Sequence, residues 1–255
     1  MNHKHLFAIF AAFAFCSSCN KNIYAPALYH HDIAYQPKPA SFDAVKSANY
    51  LSGGVNLYTD ETGIDLVSAG QVNFSQGYAF KGSNIAYGAF GEFGDYQSGV
   101  SHNAPYNFTD KFFGAFGARV SGDLFTSYGQ TDFRFIGFEA AYSHEFGAYT
   151  DFRRFLSQST SYHIDTRTEL YTVGLTSEII FHNRKTTNIE HGIRLFIGTT
   201  LGPDPYANSD YYSVTALPKP FSRLFPKASY FLNVRRFFGV LDAGSEITVR
   251  AGYKF

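Results

Sequence analysis

Residues 246–255 read EITVRAGYKF, and this stretch decides the fold. Every second residue is apolar or aromatic, from Ile247 to Phe255, and polar residues or glycine fall between them. Alternation of this kind over about ten residues predicts a β-strand with one apolar and one polar face. A tilted strand that crosses a lipid bilayer needs about the same length. The stretch therefore predicts either a transmembrane strand or a strand that covers a soluble core.

The composition favours a chain that meets an apolar solvent. Phenylalanine occurs 28 times and tyrosine 19 times, whereas only 16% of the residues are charged. A soluble protein keeps its large aromatic side chains mostly buried, so this many would need a very large core or a bilayer. The 23 glycines and single methionine fit strands and turns better than helices. Because basic and acidic residues balance at 21 each, no nucleic acid partner is expected.

Strand-like runs separated by turn residues recur along the chain. They lie at 50–59, 65–78, 84–96, 112–122, 132–147, 165–182, 187–201, 227–238 and 245–255. A bacterial barrel with both ends on one side of the membrane needs an even number of strands, so one run holds two strands or the first lies outside the wall. We therefore predict an all-β, closed antiparallel transmembrane barrel of about eight or ten strands. The strand boundary is hardest to set at residues 122–131.

Charged residues fall inside the predicted strands. They are Arg119, Glu139, Glu178, Arg194, Glu246 and Arg250. A charge on the lipid face of a barrel costs roughly 2 to 4 kcal/mol near the midplane, so we expect these side chains to face the lumen. There they would pair with one another and fill a narrow interior, because the smallest barrels leave room only for side chains. The alternative is a charged constriction in a small solute pore.

Residues 1–18 have the layout of a signal peptide. Lys4 precedes an apolar run at 6–15, which is too short for a membrane-spanning helix of roughly 20 residues. Two serines then precede Cys19, a pattern that resembles the lipobox of bacterial lipoproteins. This resemblance implies a lipid on Cys19. Ordinary signal cleavage after Ala27 is the alternative.

Residues 19–48 are predicted to form an extended tether, and residues 49–255 the barrel. The tether contains Pro26, Pro37 and Pro39 and lacks sustained alternation of polar and apolar residues. Proline-bearing segments of this kind favour an extended linker over a folded unit.

The tether also contains potential metal ligands, in the run His30, His31 and Asp32. Adjacent side chains on an extended chain point to opposite sides, and no further ligand cluster is visible in the sequence. We therefore expect neither a metal nor a cofactor, and we interpret this run as a polar part of the tether.

Residue types that could serve a lipid hydrolase occur together as Ser143, His144 and Glu145. Ser143 and His144 are adjacent in a predicted strand, so their side chains would point to opposite faces and could not form a nucleophile and base pair. We expect no catalytic residues and no enzyme. A lipid-modifying barrel enzyme with partners from other strands stays an alternative.

Long connections between the strands are predicted at 97–111, 149–164 and 202–226. Barrels of this class place short turns on the periplasmic side and long loops outside the cell. Loops commonly carry recognition, so these three connections are where we expect a surface ligand, of unknown identity, to bind.

The last residues also support a resemblance. Tyr253 and Phe255, with apolar residues alternating upstream, resemble the terminal signal of Gram-negative outer-membrane barrels that the barrel assembly machinery reads. Together with Cys19 and the prolines, the layout resembles the barrel lipoproteins of the Bacteroidota. The resemblance implies a lipid-anchored outer-membrane protein with a structural or surface-binding role. The alternatives are a small pore, a lipid-modifying enzyme and a soluble β-sandwich lipoprotein.

Overall fold

A computed structural model of the chain describes residues 23–43, 45–59, 65–97, 110–158, 163–182, 189–205 and 224–255. The predicted signal peptide and Cys19 lie outside these residues. Within the described ranges, no helix is long and apolar enough to cross a membrane.

The described elements are almost all strands. They are β1 Ile23–Tyr24, β2 Ser47–Thr59, β3 Leu66–Ala79, β4 Ser83–Gln97, β5 Lys111–Tyr128, β6 Thr131–Phe146, the helix α1 Ala148–Leu156, β7 His163–Ile164, β8 Glu169–His182, β9 Ile189–Thr200, β10 Phe225–Val234, β11 Phe237–Ala243 and β12 Glu246–Lys254. The helix corrects the prediction that residues 149–164 form only a loop. At nine residues it is too short to give a clear helical period in the sequence.

Ten of the strands form one closed barrel, which confirms the predicted fold class. Each strand pairs antiparallel with the next, and β12 pairs with β2 to complete the ring, with Val249 opposite Val55. The two short strands β1 and β7 pair with each other in parallel and form a separate two-stranded sheet. Because the sheet closes on itself, the soluble β-sandwich alternative is wrong.

The two faces of the wall differ in polarity. On β12, Ile247 and Val249 are more than half exposed on the outside, whereas Thr248 and Arg250 are buried inside. The same alternation runs through the other strands, so that many Leu, Ile, Val and Phe side chains cover the outer surface. This is the reverse of a soluble barrel, whose apolar side chains face inward.

The three longest connections lie at the same end of the barrel. At one end, here called the turn end, lie the connections 80–82, 129–130, 183–188 and 235–236. At the other, the loop end, lie 98–110, 147–168 and 201–224, with the shorter 60–65 and 244–245. The three predicted long loops thus share one end, although much of their sequence falls outside the described residues.

The structure has two strands where the sequence predicted the single run 227–238. This run covers most of β10 and the first two residues of β11, which accounts for the tenth strand. The two strands are joined at Arg235 and Arg236, and Arg235 takes a positive φ of 58°. Tight turns of this kind usually carry Gly, Asn or Asp, so the arginine pair gives no turn signal. The gap between the predicted runs 227–238 and 245–255 is shorter in the structure, because β11 continues to Ala243. The doubtful stretch 122–131 contains a two-residue turn at 129–130.

The outer surface can be tested at Val72, which is 57% exposed near the middle of β3. We expect Val72→Arg to lower the free energy of unfolding by about 2 to 4 kcal/mol, because the charge would lie in hydrocarbon. The measurement is denaturant unfolding in phospholipid vesicles. Val72→Leu is the matched control and should unfold close to the parent protein. If both variants unfold at the same denaturant concentration, this face does not contact lipid.

Candidate functional site in the barrel lumen

The chain's own residues 24–43, here called the luminal segment, occupy the interior of the barrel. Residues 24–40 are all buried. The segment begins at the loop end, where Tyr24 pairs with Ile164, and reaches the turn end, where the Ser41 amide donates to Asp132 at 2.7 Å. β2 starts immediately afterwards at Ser47. This placement corrects the prediction of a tether, because residues 24–43 of that stretch lie inside the barrel.

At the loop end, α1 covers the start of the luminal segment. The Tyr149 hydroxyl donates to the Ala25 carbonyl at 2.8 Å, and the Ala27 amide donates to Glu145 at 2.6 Å. Glu145 also accepts from Arg153 of α1 at 2.5 Å. Burial raises the pKa of the Tyr149 hydroxyl well above its ordinary value. Burial alone would lower the pKa of Arg153, but the neighbouring Glu145 carboxylate raises it.

A compact turn follows Pro26. The Tyr29 amide donates to the Pro26 carbonyl at 3.0 Å, and the His31 amide donates to the Leu28 carbonyl at 2.9 Å. His30 sits at the end of this turn with a φ of 67°. These bonds satisfy backbone groups inside the lumen, where an unpaired donor or acceptor is costly.

The potential metal ligands of the luminal segment have separate partners. The His31 ring forms a close hydrogen bond with Glu246, and Ser143 donates to the Asp32 carboxylate at 3.2 Å. The His30 ring stacks on Phe225 at 4.3 Å between centroids. Across the described residues, no group of three or more His, Cys, Asp or Glu side chains is arranged to hold a metal ion.

Cationic side chains of the wall hold the carbonyl groups of the luminal segment. Arg119 donates to Asp32 at 2.6 Å, Lys227 to Ile33 at 2.5 Å, Arg250 to Tyr35 at 3.1 Å and Arg134 to Pro39 at 3.2 Å. These carbonyls have no neighbouring strand to bond with, so side-chain donors replace the sheet ladder. Hydrogen bonds to charged groups are worth about 1.5 to 3 kcal/mol each.

The luminal segment also contributes a cation of its own. Lys38 forms a buried ion pair with Asp123 of β5 at 2.8 Å and donates to Ser121 at 3.1 Å. The flanking prolines, Pro37 and Pro39, have no backbone N–H, which leaves fewer donors to satisfy beside this pair. The segment therefore bonds to the wall through both its backbone and its side chains.

Ion pairs within the wall complete the polar interior. They join Arg194 to Glu139, Arg134 to Glu178, Arg250 to Asp242 and Lys227 to Glu246. All six charged residues predicted to face the lumen are buried there. Five of them are paired within the wall: Arg194 pairs with Glu139, whereas Glu178, Arg250 and Glu246 pair with residues that the sequence analysis did not select. Arg119 instead binds the luminal segment.

Sequence reasoning missed other inward charges, among them Asp123, Arg134, Lys227 and Asp242. Each occupies an inward position in a strand, so the alternation of polar and apolar residues could have found them.

At the turn end, the luminal segment contacts the last strand of the wall and the residue that precedes its first strand. Asp43 accepts from Lys254 of β12 at 2.9 Å, and Lys46 donates to the Ser41 carbonyl at 2.5 Å. A polar cavity of about 170 Å³ lies beside these contacts, with Glu190 among its lining residues. The segment thus leaves a small space at this end and fills the lumen above it.

One glycine of the wall makes room for the luminal segment. A β-carbon at Gly77 of β3 would lie 3.0 Å from the Pro39 ring and 3.1 Å from the Pro37 carbonyl. These distances are shorter than ordinary van der Waals contact, so the proline pair lies directly against the backbone of the wall.

The remaining sequence candidates lie apart from one another. Ser143 is buried in the lumen, whereas His144 points outward near Glu169, at 3.9 Å. Glu145 is inside and serves the contacts of α1. Tyr253 and Phe255 lie at the turn end, with ring centroids 6.3 Å apart, and Phe255 is exposed. The adjacent Ser143 and His144 thus have the opposite directions that their spacing predicts.

A closed antiparallel barrel with an apolar outer surface and an ion-paired interior is a transmembrane β-barrel of the outer-membrane type. Closure gives each strand of the wall a hydrogen-bonded neighbour on both sides. In this chain the lumen also contains a segment of the same polypeptide.

No family model matches the chain, and no curated protein matches its sequence. Among solved structures it is similar to the translocator domain of the autotransporter NalP from Neisseria meningitidis, at 7% identity and a TM-score of 0.37, over 84% of this chain and 90% of that one. It is also similar to the transport unit of the autotransporter AIDA-I from Escherichia coli, at 8% identity and a TM-score of 0.36, over 86% and 93%. At these TM-scores neither likeness bears on the function of this chain.

The buried pair of Arg194 and Glu139 gives a test of the polar interior. We expect Arg194→Met to lower the free energy of unfolding by about 3 to 5 kcal/mol, because Glu139 is left charged and unpaired in the lumen. Adding Glu139→Gln should recover part of this loss. Leu195→Ala changes the adjacent outward residue and is the control. The free energy of unfolding of each variant is measured by denaturant unfolding in vesicles. Equal unfolding of Arg194→Met and the parent protein would show that the pair is solvated.

Proposed function

We propose that the chain is an outer-membrane β-barrel of a Gram-negative bacterium whose lumen is closed by its own luminal segment. Its role is structural or surface-binding, and the long connections at the loop end carry recognition. The observation that supports this proposal is the burial of residues 24–40 among inward-facing side chains of the wall.

The contacts of the luminal segment favour a closed barrel over a small solute pore. A charged constriction needs ionic groups that face water and a passing ion. Here Arg119, Lys227 and Arg250 are buried and donate to carbonyls of the segment. Their hydrogen-bonding capacity is used within the protein. The segment therefore takes the path that a solute would need.

The loop end is the better candidate for a binding surface. It carries the connections 98–110, 147–168 and 201–224 and the helix α1. On α1 the side chains of Asp151 and Arg154 are exposed, as is the Phe155 ring. A rigid helix that is anchored below by Arg153 can present such side chains to a ligand outside the cell.

We also propose that Cys19 is lipidated and that the chain is not cleaved after Ala27. Cleavage at that position would remove Tyr24 and Ala25, which pair with Ile164 and Tyr149 at the loop end. It would also place a new amino terminus at Leu28, which is fully buried. Retention of these residues fits a mature chain that starts at Cys19.

No enzymatic activity is part of this proposal. Ser143 donates to Asp32 of the luminal segment, and the adjacent His144 is on the other side of the wall. The serine thus has a structural partner.

Conductance in planar lipid bilayers tests the closed lumen. We expect the full-length mature chain to stay at the baseline conductance of the bilayer. A variant that lacks residues 24–40 should give discrete conductance steps. Without these residues, a water-filled path opens along the lumen of the ten-stranded barrel.

The variant's heat-modifiable shift on an unboiled gel shows whether its barrel is folded. Variant Val72→Leu, which changes only the outer surface, is the control and should stay at baseline. Conductance steps from the full-length chain would overturn the closed lumen and favour the pore.

A further inference from the structure

The direction of the luminal segment sets the side of the membrane on which the mature chain begins. Tyr24 is at the loop end and Ser41 at the turn end, so the chain runs through the lumen toward the turn end before β2 starts. The described chain therefore enters the lumen at the loop end. In the proposed function, which this inference rests on, that end faces the outside of the cell.

The distance from Cys19 to the described chain is short. Three residues lie between Cys19 and Ile23, and the four residue steps from one to the other span at most about 14 Å when fully extended. The apolar band of an outer-membrane barrel is about 25 Å tall. A cysteine tied to β1 at the loop end cannot return to the leaflet at the turn end over that length. A lipid on Cys19 in the inner leaflet would require the luminal segment to leave the lumen.

The loop end holds the segment against such movement. Tyr24 pairs with Ile164, and its ring packs edge-on against Phe152 of α1 at 5.7 Å. The Ala27 amide bonds to Glu145, which Arg153 also holds. Deeper in the lumen, Lys38 is buried and paired with Asp123. Withdrawal of the segment would break each of these contacts and leave charges unpaired.

We propose that the luminal segment carries the amino-terminal part of the mature chain across the outer membrane, so that acylated Cys19 is anchored in the outer leaflet beside the long loops. Each buried methylene of an acyl chain contributes about 0.8 kcal/mol, so several chains would hold Cys19 at that surface. The chain would then be a surface lipoprotein that contains its own passage through the membrane.

Site-directed cysteine labelling on intact cells tests this placement. Lys21→Cys is the query position, two residues after Cys19. Asp151→Cys on α1 marks the loop end, and Lys81→Cys in the connection 80–82 marks the turn end; both parent side chains are exposed. The probe is a membrane-impermeant maleimide, applied before and after the outer membrane is permeabilised. An acylated Cys19 has no free thiol, so the parent chain is the blank.

We expect Lys21→Cys to be labelled on intact cells to at least half the extent of Asp151→Cys, and Lys81→Cys only after permeabilisation. Labelling of Lys21→Cys only after permeabilisation, while Asp151→Cys is labelled on intact cells, would overturn the proposed passage. Labelling of the parent chain on intact cells would show a free thiol at the surface and overturn the acylation.

The controls separate this proposal from the proposed function. If Lys81→Cys is labelled on intact cells and Asp151→Cys is not, the barrel has the opposite orientation, and the surface-binding role of the loop end is wrong as well. Metabolic labelling with palmitate gives a second readout that does not depend on the cysteine variants. Incorporation that is lost in Cys19→Ala supports acylation at Cys19, and incorporation that persists contradicts it.

Discussion

The structure depends on one constraint: backbone amides and carbonyls away from water must find partners within the protein. The wall meets it by closing, since β12 pairs with β2 and leaves no open edge. The luminal segment cannot meet it in this way, because no strand lies beside it for most of its length. Side chains of the wall take the place of a neighbouring strand, as Arg119, Lys227 and Arg250 donate to successive parts of the segment. These three inward cations therefore supply the hydrogen bonds that a neighbouring strand would otherwise give to the segment.

The number of strands explains why a segment is there at all. The smallest barrels have an interior that side chains alone can fill, and the diameter grows with the number of strands. With ten strands the interior is wider, so the side chains of opposite strands leave space between them. The luminal segment fills that space. Small inward positions are consistent with this arrangement: Gly77 lies against Pro37 and Pro39, where any larger residue would compete with the segment. The filled lumen thus comes from two sources, the charged wall and the enclosed chain.

The wall could be predicted from the sequence because the pattern that specifies each strand lies within a short stretch of residues. The alternation at residues 246–255 describes one strand and its two faces, and it held at both faces of β12. Local information failed at Arg235, where a turn forms without turn residues. It failed more seriously for residues 24–43, since prolines indicate only that a segment is not a regular element. Its partners are far away in the chain, 87 residues for Asp32 with Arg119 and 215 for Tyr35 with Arg250. Only the closed barrel brings them together.

The contacts also make the wall and the luminal segment one cooperative unit. Glu246 accepts from Lys227 of the wall and bonds to His31 of the segment, while Lys227 in turn donates to the Ile33 carbonyl. Removal of the segment would leave Glu246 and Lys227 with one partner each, and hydrogen bonds to charged groups are worth about 1.5 to 3 kcal/mol. Because Glu246 belongs to β12, the strand that closes the ring with β2, docking of the segment stabilises the same strand on which closure depends. The barrel is therefore built around the segment, and its polar interior is complete only when the segment is in place.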